Sequence, residues 1–166
     1  MATAIAAAAQ APSIFPPDVE EIRLEIFDRV PPRCFVQAVT DNGSAPLLRA
    51  GEVAVAEGDG GAGWIPIDGG LFVIEYVSPP DVPDGFELRT RKIVQTRRLN
   101  WPGQDVWAVA AYASPRNEAE HDRAMRRDGV FHVADFPYTF DALARKLIGR
   151  VVGIYCPAAL RCDGRA

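Results

Sequence analysis

The runs LFVIEYV (Leu71–Val77) and FELRTRKIVQTRRL (Phe86–Leu99), separated by SPPDVPDG, decide the fold of this chain. The first is the most hydrophobic run in the sequence. It is too short for a typical globular helix, and its β-branched and aromatic residues suit a buried strand. The second alternates. Phe86, Leu88, Thr90, Lys92 and Val94 fall on one face, and Glu87, Arg89, Arg91, Ile93 and Gln95 on the other, which is the period of a strand. Asp84-Gly85, just before it, is a hairpin-type turn. The two runs therefore read as an antiparallel hairpin.

Outward from the hairpin, CFVQAVT (Cys34–Thr40), EVAVAEG (Glu52–Gly58), VWAVAAYA (Val106–Ala113) and LIGRVVGIYC (Leu147–Cys156) also read as strands. Gly149 and Gly153 in the last permit bulges or close packing. VEEIRLEIFDRV (Val19–Val30) stays open: Ile22, Leu24 and Ile26 alternate as in a strand, whereas the charges suit a helix. Pro31 and Pro32 stop it. Asp41-Asn42-Gly43 is a strong turn signal. Asn117 opens N-E-A-E, a capping box with Glu120 at the third helical position, predicting a short surface helix that stops near Gly129. TFDALARK (Thr139–Lys146) is a helical turn or a loop. The expected fold is mainly β: one domain over residues 19–157, a compact, partly closed sheet with one or two short helices. A flexible tail, 1–18, precedes it and a second tail, 158–166, follows.

Composition narrows the function. The chain has 166 residues and a net charge of −4, which gives no general reason to expect nucleic acid or a membrane as partner. No run approaches the roughly 20 apolar residues of a membrane span. The N-terminal MATAIAAAAQAPSIFPP lacks a basic n-region, and its apolar run is mostly alanine, so it reads as a tail and not a signal peptide. The three cysteines, Cys34, Cys156 and Cys162, are odd in number and lack C-x-x-C spacing. That argues against a disulfide framework and a zinc site, and for idle thiols in a reducing cytoplasm. His121 and His132 are not placed to share a metal. GDGGAG (Gly58–Gly63) lacks the Lys-Ser/Thr of a P-loop and reads as a loop. No cofactor is expected.

The order of motifs is more specific than any one of them. V-T-D-N-G-S-A-P-L-L-R-A-G-E (Val39–Glu52), PIDGGLFVIEY (Pro66–Tyr76), a strand with basic residues, and LIGRVVGIY (Leu147–Tyr155) follow one another. This series resembles the C-terminal peptidase domain of the LexA, UmuD and phage-repressor family, which shares a Ser-Lys core with bacterial signal peptidases. The family pattern is roughly V-x-G-D-S-M-x-P-x-[ILV]-x-x-G-D at the nucleophile, P-L-x-D-G-D-I-Y-V-V beyond it, and I-I-G-R-V-V-G near the end. The resemblance covers roughly residues 34 to 156.

That chemistry needs a serine hydroxyl beside a neutral lysine amine, whose charge burial disfavours. Arginine cannot take the part, because it is effectively never deprotonated. Aligned on Pro46, Gly51 and Glu52, Gly43 stands at the serine's position and Ser44 at the methionine's. The family's V-K-R-L is matched to Thr90–Ile93 (T-R-K-I), with Arg91 at the lysine's position. Two readings stay open. Either Gly43 and Arg91 replace the dyad and the domain is inactive, or a local shift brings Ser44 and Lys92 together as nucleophile and base. The resemblance implies dimerisation, or docking onto a protein or peptide; the helix-turn-helix that the family's repressors carry is not expected here, because the first thirty or so residues are an alanine-rich tail with Pro-Pro breaks. The basic cluster Arg89, Arg91, Lys92, Arg97 and Arg98 lacks the interleaved aromatics of a nucleic-acid surface.

Overall fold

The computed structural model describes residues 22–78, 87–112, 114–115, 117–128 and 135–157; both predicted tails and all of the SPPDVPDG loop after Ser78 lie outside these. The protein is mainly β. In chain order the elements are β1 (Glu25–Phe27), β2 (Cys34–Ala38), β3 (Val53–Glu57), β4 (Leu71–Ser78), β5 (Leu88–Trp101), β6 (Gln104–Ala110), α1 (Glu118–Asp128), β7 (Asp135–Tyr138), α2 (Phe140–Ala144) and β8 (Leu147–Tyr155). The expected hairpin is β4–β5, antiparallel from Leu71↔Gln95 to Ser78↔Leu88.

The eight strands form one sheet: seven run in the order β2-β3-β8-β4-β5-β6-β7, and β1 pairs with β8 off this path. Its ends, β2 and β7, do not pair, so the sheet is open and not closed into a barrel. Strand β8 is its spine. It runs antiparallel to β3 along one side; along the other it pairs first with β4 and then, in parallel, with β1. Glycine makes this crowding possible. A Cβ on Gly149 would sit 2.5 Å from the Phe35 ring and 2.6 Å from the Glu57 carbonyl. The Phe27 ring and the Glu25 carbonyl press on Gly153 in the same way.

The alternation of β4 divides the core. Leu71 and Val73 pack with Val39, Leu48, Ala54 and Ile148 on one face, with Ile93 against them. Phe72 and Ile74 pack with Val94, Trp107, Val109 and Leu143 on the other. The two helices are short. At α1, Asn117 Oδ1 accepts the Glu120 amide at 2.9 Å, the cap expected from N-E-A-E. At α2, Thr139 Oγ1 accepts from the Ala142 amide at 3.2 Å, so TFDALARK resolves into a capped helical turn.

The cysteine expectation needs correction. Cys34 is free, but Cys156 is disulfide-bonded, to a partner outside the described residues. The cytoplasmic location expected from idle thiols loses that support. No described helix is long and apolar enough to cross a membrane.

Candidate functional site

The serine loop connects β2 to β3. Its ends are pinned by Val39 N–H to Glu52 O and Gly51 N–H to Val39 O, both 2.9 Å. Inside it, Asp41 Oδ1 accepts the Gly43 amide at 2.8 Å, and Asn42 Oδ1 accepts the Ala50 amide at 3.0 Å. The turn chemistry of Asp41-Asn42 thus folds the loop on itself. Its carbonyls contribute too, Ser44 O accepting from Leu48 N–H at 3.0 Å. Val39 and Leu48 anchor the loop in the core cluster that holds Leu71 and Val73. Ser44 is 2% exposed.

Side-chain parity places the predicted partners. Residues paired across neighbouring strands point to the same face of a sheet. Arg91 pairs with Glu75, in phase with Leu71 and Val73, and so stands on the face the serine loop covers. Lys92 pairs with Ile74, in phase with Phe72, and stands on the opposite face, where it is exposed. Among the described residues no hydrogen bond joins Ser44 to Lys92. Arg91 does not reach the serine loop by any such bond either. Its guanidinium lies 3.4 Å from Glu75 Oε1, and Arg89 lies 3.3 Å from Glu75 Oε2.

Sequence reasoning missed the buried cation on the face that the loop covers. Arg97 is 3% exposed and in phase with Arg91, Ile93 and Gln95. Its Nε donates to Gln95 Oε1 at 3.1 Å, one terminal nitrogen to Pro115 O at 2.7 Å, and the other to Ala111 O at 3.3 Å and Ser114 O at 3.0 Å. Gln95 in turn donates to Gly69 O at 3.1 Å. A polar chain therefore runs from the IDGG turn to residues 111–115. Gly43 meets the same segment: a Cβ on it would lie 3.3 Å from the Ala111 methyl. A signal for Arg97 was present, because Thr96–Leu99 reads T-R-R-L and matches V-K-R-L at its last two positions, with arginine where the lysine would be.

Lys92, the predicted base, makes no hydrogen bond to the serine loop among the described residues. A guanidinium held by carbonyls stays charged and only donates. No group of three or more His, Cys, Asp or Glu able to hold a metal ion occurs among the described residues. Comparison with known proteins adds no further assignment: no family model, no curated protein and no solved structure matches the chain.

Proposed function

We propose that this chain is a LexA-like peptidase-fold domain without the Ser-Lys chemistry, and that it acts by protein association, as a homodimer or by holding a regulator or peptide. The observation that carries the reading is the parity of β5. On the face under the serine loop the buried cation is Arg97, and Lys92 is on the other face. Gly43, at the position where the resemblance expects the nucleophile, supports the same conclusion. An extended peptide could still add to an unpaired strand edge without being cut. The β5 stretch Leu88–Val94 offers one, since β6 pairs only from Gln95 onward.

The test is intact-mass spectrometry of the purified chain after prolonged incubation from neutral to alkaline pH. Raised pH would favour a neutral lysine and so any dyad. A single unchanged mass is expected. A fragment pair that disappears in Ser44→Ala would overturn the proposal in favour of Ser44 and Lys92 acting as a dyad.

A further inference from the structure

A groove of about 770 Å³ opens far along the chain from the hairpin arm, between β1, the turn into β2 and the loop after β3. Its walls are Phe27, Pro31 and Trp64, and its rim carries Glu25, Glu57 and Asp59. The frame is fixed by the backbone. Gly58 N–H donates to Arg33 O at 2.8 Å, and Cys34 N–H to Pro31 O at 3.2 Å. Arg33 holds this turn at φ 63, an uncommon conformation for a non-glycine residue. Gly58 lets the indole come close: at φ +130, a Cβ there would lie 3.0 Å from Trp64 Nε1. Trp64 thereby stands as a wall of the groove while its other side packs against the Phe72 cluster.

The electrostatics point one way. Glu25, Glu57 and Asp59 are exposed, and none closes an ion pair among the described residues. Asp59 only accepts the Gly61 amide, at 2.9 Å. Arg150, opposite Glu57 in the β3–β8 ladder, does not pair with it. Arg33 is the single cation of the lining, so three carboxylates leave the groove negative. Burial, and then the Glu57 carboxylate, raise the pKa of the Cys34 thiol and so disfavour a thiolate in the groove.

We propose that this groove receives a lysine- or arginine-bearing extended segment of a partner protein. The cationic head would lie over the Trp64 and Phe27 rings, where the ring quadrupole attracts it, with the rim carboxylates as counter-charge. The volume falls in the range of drug-sized ligand sites, room for a few residues of chain and not merely one ion. The overall charge of −4 favours the approach of such a partner. This rests on the association reading and names its surface and partner chemistry.

The experiment is a titration of the ¹⁵N-labelled full chain with a short peptide of lysine and arginine spaced by glycine and serine. Saturable shifts of the Trp64 indole N–H and the Gly58 amide are expected. The triple variant E25Q/E57Q/D59N, which keeps an acceptor at Asp59 for the Gly61 amide, should bind about tenfold more weakly or worse. Shifts spread over other acidic surfaces, no shift at Trp64, or unchanged binding by the triple variant would each overturn the proposal. Intact mass at the end of the titration separates the two claims. A shortened chain overturns the inactive reading, whereas an intact chain without shifts at Trp64 overturns the groove alone.

Discussion

Arg97 is the buried cation on the sheet face that the serine loop covers. Its guanidinium is buried among the carbonyls of Ala111, Ser114 and Pro115 and the Gln95 amide oxygen. Lysine has the same charge but not the fork of donors, so Arg97→Lys leaves some of these acceptors unmet. Each buried acceptor left bare costs about 1–3 kcal/mol. We expect Arg97→Lys to lower the unfolding free energy by about 2–4 kcal/mol in urea titrations; an unchanged midpoint would mean that the network carries no weight. The sequence held this residue in plain view. The choice in sequence lay between Arg91 and Lys92 within T-R-K-I and passed over T-R-R-L, and only pairing against β4 and β6 sets a register. The turn just before Ser44 was legible, but the burial of Ser44 was not, because that depends on Val39 and Leu48 being drawn into the core.

At the scale of elements, the hairpin, β2, β3, β6 and β8 were legible because alternation and turn residues agree there. Strand β7 was not. DFPY is four residues long and contains Pro137, which weakens a strand signal. Proline is tolerated here because β7 ends the sheet. The strand is tied to β4 by Tyr76, which donates to Asp135 Oδ2 at 3.1 Å, and Tyr138 within β7 donates to the same oxygen at 2.5 Å. Burial first, and then the Asp135 carboxylate, push the Tyr76 pKa up to about 12 from 10.0. The Tyr138 pKa is raised as well, again by burial first and then by its hydrogen bond to Asp135. A phenol whose pKa is raised on folding stabilises the protein fully below its unfolded value, and that contribution is lost as pH rises through the folded value. Thermal unfolding should therefore show a fall in Tm between pH 10.0 and about 12 that is smaller in Tyr76→Phe. An equal fall in that variant would place the effect elsewhere. Gly149 makes a second prediction at this scale. Alanine there meets the Glu57 carbonyl, which is backbone and cannot swing aside. Gly149→Ala should cost about 2 kcal/mol or more, read in the same denaturant titration, and a neutral result would show that β3 and β8 can separate freely.

For the whole molecule, strand alternation, frequent turn signals and little helix were enough for a mainly β fold, and the sheet matches that class. Closure was not legible, since it depends on whether β2 and β7 meet, and they are far apart in the strand order. Cysteine arithmetic misled at Cys156, because an odd count says nothing about which two thiols are near each other in space. The account as a whole turns on one spatial relation: the serine loop lies over the Arg97 face, and Lys92 lies on the other. The most direct test is a NOESY spectrum of the folded chain. The account predicts cross-peaks from the Ala111 methyl to the Gly43 α-protons and none between the Ser44 β-protons and the Lys92 ε-methylene. Cross-peaks between Ser44 and Lys92 would contradict it and restore a dyad to the serine loop.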